Sequence, residues 1–365
     1  MKLKRIIITV SNNLVTDNRV TKLSGYLEAK GWEVLILGRQ WPGGDIPEGR
    51  PGVVRRFHLP FNKGFLFYAF LNIRLFLYLL VNKADKIVAV DLDTLPAACI
   101  VGKLKGIPVV FDSHEYFPET PEILNKPFVR WFWLKLEAVF VPMVAEGITV
   151  SKGIVEIYRE QYGLNFKLIR NVPNRAIKVL EIRDVPECPI IYYQGALNIG
   201  RGLKEVIRAL LLLPNYRMTI AGSGDKEEEL HALVRAMNLE DRVVFTGRLP
   251  FERLAAEAAK AHVGLCLLEN MGLNYYHSLP NRLFDYPALG LPIIASAFPD
   301  MAEIVNQYDT GLLVNGLEPE EIAQSIRHAC EDVDLRERWK KSLKTAVEDL
   351  NWENECSRLD EIFSL

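Results

Sequence analysis

Two rounds of one alternation run through this chain, each passing from a short β-branched stretch to a helical one and back, and this repetition limits the fold more than any other feature. The first round reads RIIITV, VTKLSGYLEAKG and WEVLILG, then KIVAV, a helical stretch over 95–104, and IPVVFDS. Such alternation builds a parallel sheet with helices on both faces. Val20, Leu23 and Leu27 share one face of the first helical stretch, which Gly31 closes. The second round starts afresh with PIIYYQG and GLKEVIRALLLL, continues through YRMTIAG, KEEELHALVRAM, RVVFTG and PFERLAAEAAKA, and ends on VGLCLL and PIIAS. Between the rounds, RNVPNRAIKVLEIRDVPECP is rich in proline and charge and has no period, which predicts a hinge within 171–189. The expectation is an α/β chain of two Rossmann-like domains facing across a deep cleft, with any site in that cleft. Residues 1–175 would form the first domain and 176–345 the second, with 346–365 a C-terminal helix packing back toward the first; a length of 365 residues suits this count.

Composition narrows the class. Apolar residues at 49% and charged residues at 25% are the balance of a globular protein. A net charge of −2 gives no global pull toward nucleic acid, so no nucleic-acid partner is expected. The five cysteines are scattered without CxxC or Cys/His spacing, and read as reduced cytoplasmic thiols. His58, His231, His262 and His328 show no metal spacing either. The opening MKLKRIIITV runs into polar SNNLVTDNR, which fits a buried first strand better than a signal peptide. Two segments carry more apolar surface than a core needs. Residues 65–81 are about membrane-spanning in length, but Asn72 and Arg74 interrupt them at the centre. Residues 126–144 mix Lys126, Arg130 and Lys135 with Trp131, Phe132 and Trp133, an interfacial composition. Core packing is the default reading of both, and contact with a membrane surface is the alternative.

The loop after the first strand, VSNNLVTDNRV, lacks the GxGxxG that brings a dinucleotide against backbone, and no GxxxxGK[ST] occurs, so nicotinamide redox chemistry and P-loop phosphotransfer lose their main support. The strongest constellation is NYYHSLPNRLFDYPALGLPIIAS over 274–296. Here Ser278 is expected to cap a helix with Pro280 in its first turn, so that residues 278–281 (Ser278, Leu279, Pro280, Asn281) present amides and a positive dipole end to a diphosphate. Asp285, one turn on, is placed to accept from ribose hydroxyls, although a capped helix with a solvated carboxylate explains the same residues. A second stretch, YQGALNIGRGLKEV over 193–206, follows a strand with Gly195, Gly200 and Gly202 and aims Arg201 at an anion. A third, AGSGD over 221–225, ends the next strand at its carboxyl edge. In the first round, VFDSHEYFPE sets His114 beside Asp112 and Glu115 at a strand end, where a histidine can exchange protons or hydrogen-bond a substrate hydroxyl near neutral pH.

Together these stretches resemble the retaining GT-B glycosyltransferases of glycosyltransferase family 4 (group 1), over most of the chain. Members carry a glutamate, seven intervening residues and a second glutamate, then a small-residue helix, Gly-x-Pro and a strand; Asp285, Gly290 and Pro292 match the later part. The resemblance implies that Asp285 binds the donor ribose. It puts His277 at the first glutamate, with His277 or Glu269 left to meet the donor sugar. Arg201 stands where a lysine clamps the diphosphate, and Ala196 stands where an arginine is usual. By the same likeness Gly195, Gly222, Ser223 and Gly224, with Gly247 to Leu249, hold the donor, His114 lies against the transferred sugar as a catalytic residue beside Arg201, and Asp17, Arg19 and Glu115 belong to the acceptor side. Expected partners are a nucleotide-diphosphate sugar and a glycan or lipid-linked acceptor, on the cytoplasmic side and peripheral to a membrane. Stabilising the departing diphosphate with fixed cations and amides would need no metal. Two alternatives remain open at this point: a nucleotide-sugar epimerase of the same fold, and a non-catalytic scaffold that binds nucleotide sugar.

Overall fold

In a computed structural model the chain is described over residues 4–15, 17–41, 49–175 and 186–364, without the side chains of residues 251 and 252. The central part of the expected hinge, 176–185, lies outside the described residues. The chain divides into two compact units, Met1–Asn171 with Cys356–Leu365, and Val172–Glu355.

The first unit is built on a parallel sheet of β1 (Arg5–Thr9), β2 (Glu33–Arg39), β3 (Val53–Phe57), β4 (Lys86–Val90), β5 (Val109–Ser113), β6 (Glu146–Thr149) and β7 (Lys167–Leu168). Their order is β3-β2-β1-β4-β5-β6-β7. The central strands are buried residue after residue rather than alternately, because helices cover both faces. The first helix, α1 (Asn18–Ala29), starts where the Asp17 carboxylate accepts from the Val20 N–H at 2.9 Å. It buries Val20, Leu23 and Leu27, and the Trp32 N–H closes its end on the Leu27 carbonyl at 3.0 Å.

The greasy segment forms α2 (Gly64–Val81), long and apolar enough to cross a membrane by length and composition, with a mean hydropathy of 1.9. Only the stripe Phe67, Leu71, Leu75, Leu79 is buried, one residue per turn. Asn72, which breaks the apolar run, holds the helix down: its Nδ2 donates to the Asp93 carbonyl at 2.8 Å and its Oδ1 accepts from the Ala97 N–H at 3.1 Å. Ala97 lies on α3 (Leu95–Lys105). The second greasy segment forms the helix Pro127–Phe140, anchored by Trp133, whose ring meets Tyr68, Phe117 and Phe132 edge-on. The chain end belongs to this unit too. Leu359, Ile362 and Phe363 are buried there, Trp32 donates its indole N–H to the Phe363 carbonyl at 3.0 Å, and Tyr26 donates to Asp360 at 2.6 Å.

The second unit repeats the plan with β8 (Ile190–Gln194), β9 (Arg217–Ala221), β10 (Val243–Gly247), β11 (Val263–Cys266), β12 (Ile293–Ser296) and β13 (Gly311–Val314), all parallel, in the order β10-β9-β8-β11-β12-β13. Apolar clusters fill both faces, one around Ile207, Leu210 and Trp339 and the other around Leu283, Phe284 and Tyr286. In each sheet the direction of winding reverses next to the first strand, between β1 and β4 and between β8 and β11. Crevices at the carboxyl ends of the strands open at such points.

Candidate functional site

In the second unit the three predicted loops meet at the carboxyl edge of the sheet. The Gly195 N–H donates to the Ala221 carbonyl at 3.0 Å, Leu197 N–H to Ser223 at 3.1 Å, and Gly222 N–H to Gly247 at 2.9 Å. Glycine is required where these backbones touch. A Cβ on Gly222 would stand 1.9 Å from the Gly195 carbonyl oxygen, and one on Gly224 would stand 2.6 Å from that of Leu197. Gly195, Gly222, Gly224 and Gly247 therefore weave one floor, with Ser223 exposed on it and Leu249 packed at its border.

The motif over 274–296 differs from expectation at its start. Ser278 is not a cap. Its hydroxyl and its N–H both donate to the Tyr275 carbonyl, at 3.0 and 3.2 Å, and so close the preceding short helix Leu273–Tyr276. The next helix runs over Arg282–Ala288, with Asn281 at its cap position making no side-chain capping bond. Proline explains the delay: Pro280 has no N–H and disfavours helical backbone at Leu279, so the helix begins after it. The expected row of free amides over 278–281 is therefore absent at Ser278 and Pro280.

Charge comes from side chains instead. Arg201 is half-buried, its guanidinium 4.9 Å from the Tyr275 ring centre and its Nε without a hydrogen-bond partner. Arg282, not singled out from the sequence, is 6% exposed. Its guanidinium lies 5.0 Å from the Tyr193 ring centre and its Nη2 donates a long bond, 3.4 Å, to the Leu267 carbonyl. Its spacing three residues before Asp285 on one helix was the available signal. Asp285 accepts from Gln194 Nε2 at 3.2 Å, and Gln194 is itself fixed by its N–H on the Tyr286 hydroxyl at 2.9 Å. His277 is held through Nδ1 by the buried Asp300 at 2.8 Å. Glu269 is tied to the glycine loop by its N–H on the Gly200 carbonyl at 3.0 Å, and burial raises its pKa, followed by the Glu205 charge. A cavity lined by Pro186, Tyr216, Cys330, Arg336 and Lys340 sits at the opposite edge of the sheet, and none of these site residues lines it.

In the first unit His114 is where the sequence puts it, after β5, among carboxylates. Nε2 bonds the Asp112 carboxylate at 3.1 Å, Nδ1 faces Asp91 at 3.8 Å, and the His114 N–H donates to Asp91 Oδ1 at 2.9 Å. Burial alone would lower its pKa; the Asp112 and Asp91 charges outweigh it and raise the pKa to about 9. The ring is therefore an imidazolium at neutral pH, a hydrogen-bond donor and a positive charge, which suits hydrogen bonding to a hydroxyl, one of the two roles expected from the sequence.

Arg19 is buried in the same cluster. It is 4% exposed and donates through Nε and Nη2 to Asp112 at 2.7–3.2 Å and through Nη1 to the Ile169 carbonyl at 2.6 Å, so it fixes Asp112. Despite its burial, the carboxyl of Asp112 is held well below the usual range by Arg19 and His114. Asp17 is spent as the α1 cap and as acceptor from Asn12 Nδ2 at 2.7 Å. Asp91 and Asp93, which follow β4, are the residues that sequence reasoning missed. Asp91 takes a left-handed backbone at φ 58°, tolerated by Asp, to reach His114. Burial, then the Asp91 charge, raises Asp93 to about 7 and Glu115 to about 8. The result is a cluster of carboxyls around two fixed cations, Arg19 and His114.

Two doubly wound parallel sheets, one with guanidinium groups and a carboxylate at its switch point, define the GT-B class of glycosyltransferase fold. The comparisons agree. Residues 181–345 match the family of glycosyl transferases group 1, and residues 17–174 match glycosyltransferase family 4. The chain belongs to this family. A sucrose-phosphate synthase structure from Thermosynechococcus elongatus superposes with a TM-score of 0.82 at 19% identity, over 99% of this chain and 98% of that one. The Anabaena HepE structure with UDP and glucose gives 0.76 at 16% identity, over 99% of both. By sequence, a Campylobacter jejuni N-acetylgalactosaminyltransferase acting on an undecaprenol-diphosphate-linked glycan is 23% identical over 73% of this chain and 71% of its own length. The chain spans about half the length of other curated relatives, 55% and 42% of two glycosyltransferases of Methanocaldococcus jannaschii.

Proposed function

We propose that the chain transfers a hexosyl group from a nucleotide-diphosphate sugar to a glycan or lipid-linked acceptor, with retention of anomeric configuration and without a bound metal. The observation that carries this reading is the grouping of Arg201, Arg282 and Asp285 above the woven glycine loops. Asp285, aligned by Gln194, suits the ribose hydroxyls, and the guanidinium groups suit a leaving diphosphate. In transfer, the sugar develops oxocarbenium character while negative charge grows on the departing oxygen. Fixed cations there stabilise the transition state more than the ground state. The imidazolium of His114 suits a sugar hydroxyl as a donor, and His277, held by Asp300, takes the place of the family's first glutamate.

A lipid-linked acceptor suits the surface of the first unit. Phe65, Leu66, Phe70, Ile73 and Leu77 of α2 are exposed, as are Phe128 and Trp131 on the helix Pro127–Phe140. Exposed Lys63, Arg74, Lys126 and Lys135 flank them. Aromatic and basic residues together fit the headgroup layer of an anionic membrane, with the enzyme peripheral on the cytoplasmic face.

The test is transfer itself. The chain is incubated with labelled UDP- or GDP-sugars, polyprenyl-diphosphate-linked glycans and EDTA. An elongated, α-configured product from an α-linked donor is expected. Conversion of the donor without acceptor would point to epimerisation, and strict dependence on added Mg²⁺ would overturn the metal-free route.

A further inference from the structure

A buried guanidinium with no counter-ion is costly, and the second unit holds one. Arg282 is 6% exposed, and its Nε has no hydrogen-bond partner. Among the described residues it makes no ion pair, and its partners are neutral, the Leu267 carbonyl at a long 3.4 Å and the Cys266 thiol. Arg201 shows the same deficit at Nε. Leu267, just after β11, links the two: its carbonyl accepts from Arg282 Nη2, and a Cβ on Gly202, the neighbour of Arg201, would lie 3.0 Å from its side chain, so the two arginines belong to one corner of the sheet edge. Tyrosine faces hold each from one side, Tyr193 beneath Arg282 and Tyr275 beneath Arg201. Such stacking orients a fork of donors without neutralising its charge. Keeping a cation with no counter-ion out of water is costly, so a site of this kind is completed by an anion.

The position of Arg282 says which part of an anion it meets. A Cβ on Gly195 would lie 3.5 Å from Arg282 Nη1, which puts the guanidinium against the loop that leaves β8. The next residue, Ala196, is exposed and carries no charge. We propose that Arg282 and Arg201 form a paired guanidinium clamp for the diphosphate of the donor, with Arg282 supplying from the helix Arg282–Ala288 the cation that the β8 loop lacks at Ala196. The clamp rests on the donor reading above. One guanidinium meets each phosphate, so a diphosphate is favoured over a monophosphate carrying the same base.

The experiment compares the wild-type chain with R282M, R282K and the double variant A196R/R282M. UDP and GDP are titrated against UMP and GMP, with inorganic pyrophosphate as a probe that does not depend on the base. In the wild type the diphosphate binds more tightly than the monophosphate. R282M lowers diphosphate affinity roughly 10- to 100-fold, the scale of a charge-assisted hydrogen-bond pair, and the preference over monophosphate collapses. R282K, a point charge without the fork, falls between the two and serves if R282M does not fold. A196R restores much of the preference in the R282M background, which a purely structural arginine would not allow. An unchanged preference in both R282M and R282K, or pyrophosphate that stabilises wild type and R282M equally or neither of them, overturns the clamp. If pyrophosphate stabilises only the wild type while no nucleotide binds, the clamp stands and the nucleotide-sugar reading falls.

Discussion

Replacing Arg19 by Met tests the first unit most sharply, because it leaves the Asp112 carboxylate buried with half of its support. The pair is 4% and 1% exposed at 2.7 Å, so solvent does not screen it. Removing one member of a buried ion pair costs about 3–5 kcal/mol. His114 remains against Asp112 as a second cation, which places the expected loss near the lower end, about 3 kcal/mol. For a unit of this size about 1 kcal/mol corresponds to roughly 2–4 °C, so the transition of this unit should fall by roughly 6–12 °C. Scanning calorimetry of the full chain resolves this if the two units melt separately, and urea denaturation gives the free energy. The double variant R19M/D112L, which removes both charges, should recover most of the loss. A loss below about 1 kcal/mol in R19M, or a double variant no more stable than the single one, would refute the argument that the pair is a mutually dependent buried unit.

Other outcomes follow from the same geometry. Asp93, Glu115 and His114 all have pKa values raised by folding, to about 7, 8 and 9, so the native state binds more protons than the unfolded state between the ordinary values and these. Their contribution to stability is therefore full at low pH and is lost as pH rises through about 7 to 9; the melting temperature should fall from pH 6 to pH 9.5, and a rise across that range would contradict the assignment. Gly222→Ala should displace the loop at Gly195, since its new methyl group meets that carbonyl oxygen at 1.9 Å. Nucleotide binding should weaken by at least about tenfold, the effect of a misplaced site loop, while the far-ultraviolet circular dichroism is retained; unaltered binding would show that the floor is not part of the site. Vesicle sedimentation should show the chain on phosphatidylglycerol but not on phosphatidylcholine, with F65S/W131S releasing it; equal binding to both lipids would remove the basic residues from the account.

Periodicity made the architecture legible. Strands such as RIIIT and KIVAV are buried on both faces, and continuous apolar runs between helices are how such strands read. The glycine loops and Asp285 were also visible, because sharp turns at strand ends demand particular residue types. What escaped was set by contacts distant in sequence. Arg282 gains its meaning from Tyr193 and Gly195, and Asp91 from His114, neither of which is a neighbour along the chain. The pairing of Arg19 with Asp112 joins residues far apart in the first unit's sequence, so no local pattern announces it. Ser278 misled for a local reason. A serine before a helical pattern reads as a cap, yet Pro280 moves the helix start beyond its reach and the hydroxyl turns back to Tyr275.

The central claim is that the second unit holds a nucleoside diphosphate through two arginines and Asp285. Calorimetric titration of UDP, GDP, ADP and dTDP into the wild-type chain and into D285N tests it directly. The account predicts saturable one-to-one binding of at least one of them, weakened in D285N and much weaker for the corresponding 2′,3′-dideoxynucleotide. No heat from any of the four at millimolar concentration, or equal binding of the ribose and dideoxyribose forms, would contradict it.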